Sequence, residues 1–243
     1  MTTELSPPAA GGRDSVAAEQ VVAHVRGLIE RGALRPGDRL ASERQLARDV
    51  GVSRPSVRAG LRSLAAMGVV QTRHGAGTFI TEGPPALVSE ALGLLAAVHG
   101  IGFDRLFEAR RVLEVGSVAL SAERATGEQV AAMSDEITGM YASLEDPQAF
   151  LRHDVRFHRA VAVGANNPVL GALIEMVASL HYEQRRVTVE RARHQLRESA
   201  DMHRRIYQAI RTRDPEAARA AMDEHLRQAQ AAQASEENER GRA

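Results

Sequence analysis

Apolar positions recur at helical spacing along most of the chain and alternate at spacing two only near residues 69–81. Val21, Val22, Val25, Leu28 and Ile29 form one stripe of a helix that starts near Ser15. Gly32 and the Pro36-Gly37 pair end it. Ser42 then stands as an N-cap, with Gln45 at capping-box spacing, ahead of Leu46, Ala47 and Val50 on one face. Gly51 permits a sharp turn. Ser53 caps a further helix, and Pro55 falls in its first turn, where a missing N–H costs little. Val57, Leu61, Leu64 and Ala65 are its apolar stripe, and Gly68 ends it. Residues 69–72 and 78–81 read as two short strands joined through His74-Gly75-Ala76-Gly77.

Beyond residue 86 the pattern is helical throughout. It predicts helices at 86–99, 104–125, 127–143, 147–164, 168–191, 194–212 and 214–233, separated by Gly, Asn-Pro and Asp-Pro breaks. The predicted fold class is mainly α: an N-terminal winged helix-turn-helix (three helices plus a two-stranded β-hairpin), then an all-α helical bundle. The implied organisation is a disordered tail at 1–13, a DNA-binding domain at 14–82, a linker at 83–86, a helical domain at 87–233 and a frayed tail at 234–243.

Composition narrows this picture. Aromatics are 3% of 243 residues, so the core must draw on Ala, Val and Leu. Cysteine is absent, which excludes disulfides and thiolate metal sites. No apolar run approaches the 20 or so residues of a membrane span, and the first residues lack a signal-peptide layout. A cytoplasmic location is expected.

Net charge is zero, but its distribution is uneven. Seven arginines (39, 44, 48, 54, 58, 62 and 73) face only Glu43 and Asp49 across the helix-turn-helix. In this motif the second helix enters the major groove with its N-terminal residues at base edges. Those residues are Ser53, Arg54, Ser56 and Arg58. Arginine binds guanine O6 and N7 bidentately, and serines at a helix start suit phosphates. Arg44 is placed to reach groove or backbone, and His74 and Gly75 form a hairpin tip that suits a minor groove.

The segment resembles the winged helix-turn-helix of the GntR family of bacterial transcription regulators. The resemblance rests on Gly37, Leu40, Ser42-Glu43-Arg44, Leu46-Ala47, Gly51-Val52-Ser53-Arg54, Val57-Arg58, Leu61, Leu64, Gly68-Val69-Val70 and the His74-Gly75-x-Gly77-Thr78-Phe79 wing. It implies DNA contacts from Arg44, Ser53, Arg54, Ser56, Arg58, His74 and Gly75. Ala41, Pro55 and Gly60 depart from the family pattern. On propensity alone, Gly60 weakens its helix by about 1 kcal/mol relative to Ala.

In the second domain, Asp154 and His158 share a helix face with Val161 and Ala165. His203 shares one with Ala200, Tyr207 and Ile210, and His225 with Ala221, Met222 and Ala229. Four polar groups on apolar faces of three helices need partners. The spacing alone leaves two readings: core histidines with single hydrogen bonds, or one divalent metal site built across facing helices. His153, His181 and His194 lie at less apolar positions and are expected to be solvated.

Residues 87–230 resemble the all-helical FCD effector domain of the FadR-type GntR subfamily. The matching features are Glu108-x-Arg110-x-x-Leu113-Glu114, Asp154-x-x-x-His158, Asn167-Pro168, His203-x-x-Ile206-x-x-Ala209-Ile210, Asp214 and His225-Leu226. The resemblance implies that Asp154, His158, His203 and His225 ligate a zinc, nickel or manganese ion. It also implies that Arg110 pairs with a small carboxylate effector. Arg110 has an alternative partner in Glu114, one helical turn on, and Arg111 is expected at the surface. Asn167 reads as a pocket wall or a helix N-cap.

The function this predicts is a non-enzymatic, ligand-responsive transcription regulator, a repressor acting as a homodimer on a short operator palindrome. The alternatives are a metal-free regulator with a different effector and a small metal-dependent enzyme.

Overall fold

In the computed structural model, residues 10–82, 87–189 and 195–240 are described. The predicted linker at 83–86 and His194 lie outside them. The chain divides into two compact units, Met1–Val88 and Ser89–Ala243.

The first unit contains α1 (Ala10–Glu30), α2 (Glu43–Val50), α3 (Arg54–Ala66), β1 (Val70–Arg73) and β2 (Gly77–Ile80). Ser42 Oγ accepts from Gln45 N–H and starts α2; Ser53 Oγ accepts from Ser56 N–H and starts α3, with Pro55 in the first turn. Gly51 closes α2 at φ 76°, a left-handed conformation that costs glycine little. Val21, Val25, Leu40, Leu46, Val57, Leu64, Val70 and Ile80 form the core. The strands pair antiparallel, from Val70 opposite Ile80 to Arg73 opposite Gly77.

Gly60 corrects the expectation from propensity. A Cβ there would lie 2.7 Å from Val21 Cβ and 2.8 Å from the Ala18 carbonyl oxygen. The missing side chain is what lets α1 approach α3, a contact that helix propensity does not register.

The second unit is all helical among its described residues: α4 (Leu87–Val98), α5 (Phe103–Arg124), α6 (Gly127–Ala142), α7 (Pro147–Gly164), α8 (Pro168–Thr188), α9 (Leu196–Arg211) and α10 (Pro215–Arg240). Helix α5 is central and packs against α7, α8, α9 and α10. Three of the five phenylalanines (Phe107, Phe150 and Phe157) are buried in this core with Met133, Met140 and Met222, so Phe and Met supplement the expected aliphatic residues. Thr126 and Gln129 form a reciprocal capping box, and Asp146 caps α7 ahead of Pro147. Arg213 holds φ 59° in the α9–α10 turn, and its guanidinium donates to the carbonyls of Ala122 and Ala125 at the end of α5.

Residues 1–9 and 241–243 of the predicted tails lie outside the described residues. Helix α1 includes residues 10–13 of the predicted N-terminal tail. Helix α10 includes residues 234–240 of the predicted C-terminal tail, where neither Gly nor Pro interrupts it.

Candidate metal centre and nucleic-acid interface

Asp154 and His158 project from α7, His203 from α9 and His225 from α10, and their ligand atoms all lie within 4.8 Å of one another. The three histidines are buried. His158 Nε2 stands 3.2 Å from His225 Nε2 and 3.3 Å from His203 Nε2, and His203 Nε2 is 3.1 Å from Asp154 Oδ1. Tetrahedral coordination at zinc–nitrogen bonds of about 2.0–2.1 Å places nitrogens about 3.3 Å apart, so the donors fit such an ion.

The outer ring atoms fix the tautomers. His203 Nδ1 lies 2.7 Å from the Ser199 carbonyl oxygen, which can only accept, so this nitrogen carries the proton. His158 Nδ1 lies 2.5 Å from Glu114 Oε2. In their neutral forms both rings therefore turn an Nε2 lone pair inward, toward each other, and His203 faces a carboxylate oxygen as well. Acceptors at these separations repel unless a shared proton or a metal cation lies among them. A carboxylate behind His158 and a carbonyl behind His203 are the outer supports that metal-bound histidines use.

Glu114 links this centre to Arg110, whose Nε donates to Glu114 Oε1 at 2.7 Å. Both residues are buried. Burial opposes ionisation of Glu114, but Arg110 and His158 together hold its carboxyl well below the usual range. Asp154 is likewise held low against burial, by its contact with His203 and the surrounding imidazoles. Burial, reinforced by His203 and His158, pushes His225 well below the ordinary imidazole value. Neutral imidazoles and ionised carboxylates are the forms that bind a cation.

A cavity of about 80 Å³ opens on this centre, lined by Arg110, Asp154, His158, His181, Arg185, Ser199 and His225 among others. His181 corrects an expectation: it is buried, edge-on to Phe107 at 5.1 Å, and not solvated. Its signal lay in the stripe of Ile174, Val177 and Ala178 that it extends along α8. Arg110 lines the cavity and is paired with Glu114. Asn167 does not line the cavity; its Oδ1 accepts from the N–H groups of Val169 and Leu170 as the cap of α8. His153 is half-buried against Glu136 at 2.7 Å, and Arg111 pairs with Asp223 of α10.

In the first unit Arg44, Ser53, Arg54, Arg58, His74 and Gly75 are exposed. Gly75 has φ 71° and Gly77 φ 115°, conformations that make the wing tip a glycine turn. Ser56 stands apart from this set. It is 4% exposed and its hydroxyl lies 2.8 Å from Ser53 Oγ, so it braces the start of α3. Glu43 was not among the predicted site residues, yet its carboxylate contacts both Arg54 and Arg58.

Two family models match the chain. Residues 17–80 match "Bacterial regulatory proteins, gntR family", and residues 105–228 match "FCD domain". The chain is 35% identical over 217 residues to the HTH-type transcriptional repressor NanR of Klebsiella aerogenes, covering 86% of this chain and 82% of that one. It is 32% identical over 203 residues to the HTH-type transcriptional regulator LutR of Bacillus subtilis, covering 82% and 93%. Among solved structures, Streptococcus agalactiae GntR superposes with a TM-score of 0.67 at 26% identity, covering 88% of this chain and 99% of that one. The winged helix-turn-helix, the helical unit that follows it in sequence and these matches together make the chain a DNA-binding transcription regulator of the GntR family, with an FCD domain.

Proposed function

We propose that this regulator is a ligand-responsive repressor that acts in the cytoplasm as a homodimer on a short palindromic operator. Its helical unit binds a divalent metal through Asp154, His158, His203 and His225. The observation that carries this reading is the inward convergence of imidazole Nε2 atoms 3.2–3.3 Å apart, with Asp154 beside them. Zinc, nickel and manganese all accept this donor set.

A small carboxylate is the effector class this cavity favours. The space is small, Arg110 borders it among both apolar and charged side chains, and a guanidinium suits a carboxylate. Bound metal with an open position would supply a second, Lewis-acid contact to the same carboxylate. Asn167, as a helix cap, has no part in this. DNA contact falls to Arg44, Ser53, Arg54, Arg58, His74 and Gly75, with Ser56 supporting Ser53. Exposed Leu94, Leu95 and Val98 on α4 supply apolar surface for a second copy, and two-fold symmetry matches two operator half-sites. The effector acts by favouring one dimer geometry over another.

The test is a thermal-shift screen of small carboxylates with and without a chelator. A ligand at 100 times its dissociation constant adds about 2.7 kcal/mol, which is readily seen. Hits that vanish with chelator support the reading; hits indifferent to chelator favour a metal-free pocket.

A further inference from the structure

Glu43 is one of two acids in a surface otherwise rich in arginine. It opens α2, immediately after the Ser42 cap. Its Oε2 accepts a hydrogen bond from Arg58 Nε at 2.9 Å and lies 3.6 Å from Arg54 Nη2. A single carboxylate oxygen thus gathers two guanidinium groups that stand one turn apart on α3.

Stability does not explain this arrangement. Both arginine side chains are exposed and Glu43 is 35% exposed, and ion pairs so open to solvent contribute little to folding. The two helices are already joined through Leu46 and Val57 in the core. What the contact changes is the freedom of two long side chains and the charge at the front of α3.

We propose that Glu43 is the positioning and specificity residue of the DNA-reading surface. It aims Arg54 and Arg58 at base edges and weakens binding to non-cognate DNA. The inference rests on the reading of those two arginines as groove contacts. Bidentate recognition of guanine needs a guanidinium plane held in place. The bond to Arg58 Nε fixes that plane and leaves the terminal nitrogens to meet a base. An unrestrained arginine reaches the nearest phosphate instead, and phosphates are alike in every sequence. On a cognate site the arginines bind base edges in the pose Glu43 holds. On any other duplex they must leave that carboxylate to reach a phosphate, so only the non-cognate complex is penalised and the ratio of the two affinities widens.

The experiment uses the full chain. A tight-binding duplex is selected from a random library with the wild-type protein. That duplex and a scrambled one of equal length and composition are then titrated by fluorescence anisotropy at two salt concentrations. Glu43→Gln, Glu43→Ala, Arg54→Ala and Arg58→Ala are compared, with circular dichroism confirming the fold of each. Glu43→Gln keeps the shape of the side chain, so a folding defect in the alanine variant does not decide the matter.

Both Glu43 variants are expected to bind the scrambled duplex about threefold to tenfold more tightly, with a steeper salt dependence. The selected-to-scrambled ratio is expected to fall about tenfold. On an Arg54→Ala/Arg58→Ala background, Glu43→Gln should leave the ratio where it was, because Glu43 acts through those side chains. If Arg58→Ala lowers the ratio and Glu43→Gln does not, the inference is overturned and the reading surface stands. If neither arginine variant moves the ratio, the reading surface itself is wrong. A loss confined to duplexes with one particular cytosine would make Glu43 a base reader and would also overturn the positioning role.

Discussion

Glu114 Oε2 lies 2.5 Å from His158 Nδ1, and the pair is buried within the helical unit. The same carboxylate accepts from Arg110 Nε through its other oxygen. Arg110 borders the cavity and His158 belongs to the metal centre, so Glu114 physically joins the two halves of the proposed effector site.

Glu114→Gln should therefore weaken metal binding by about 10- to 100-fold, the usual cost of losing the partner behind a ligating histidine. Competition against a fluorescent chelator measures this. Undiminished affinity would mean that Glu114 serves Arg110 alone.

Acid should destabilise the metal-stripped protein in two stages. Burial lowers the values of His181 and His225 from the ordinary 6.5. Glu114 and Asp154 are held below 4.5 and 3.8 respectively, as Arg110 and the nearby imidazoles outweigh burial. In each case the unfolded chain binds protons that the folded chain refuses, so stability increases with pH. The histidine contribution is complete above about pH 6.5 and declines below it; the carboxylate contribution declines only below about pH 4.5. Thermal unfolding in excess chelator should show a Tm that falls from about pH 6.5 and more steeply below 4.5. A Tm that is flat from about pH 7 to 5 would contradict the assignment of buried neutral histidines.

Gly60→Ala should destabilise the DNA-binding unit by about 1–3 kcal/mol, because the new methyl overlaps Val21 and the Ala18 carbonyl. Helix propensity predicts the opposite sign, a gain of about 1 kcal/mol. The direction of the change in denaturant midpoint decides between packing and propensity.

The sequence made some of these features visible and hid others for physical reasons. The helix-turn-helix was legible because caps, glycines and prolines punctuate it closely: Ser42, Gly51, Ser53, Pro55 and Gly68 each act within a few residues of their own position. Asp154, His158, His203 and His225 were legible as polar residues on apolar helix faces. Their convergence depends on how α7, α9 and α10 pack, which periodicity does not encode. The same limit concealed Glu43, whose partners are 11 and 15 residues away across the turn. It also concealed the closeness of α1 to Gly60. His181 is buried at the end of the Ile174, Val177 and Ala178 stripe on α8, a period that the polar residues around it obscure.

Arg54→Ala should cost about 1–3 kcal/mol in affinity for a selected duplex and relax preference at one base pair. Binding and preference equal to wild type in an anisotropy titration would remove Arg54 from the reading set.

The proposed effector response depends on a cation held by Asp154, His158, His203 and His225. Elemental analysis of protein purified without chelator, compared with His158→Ala prepared alongside, tests that most directly. The prediction is roughly one equivalent of a divalent transition metal per chain in the wild type and little in the variant, with the helical circular dichroism of both preserved. Equal, substoichiometric metal in the two preparations would contradict it.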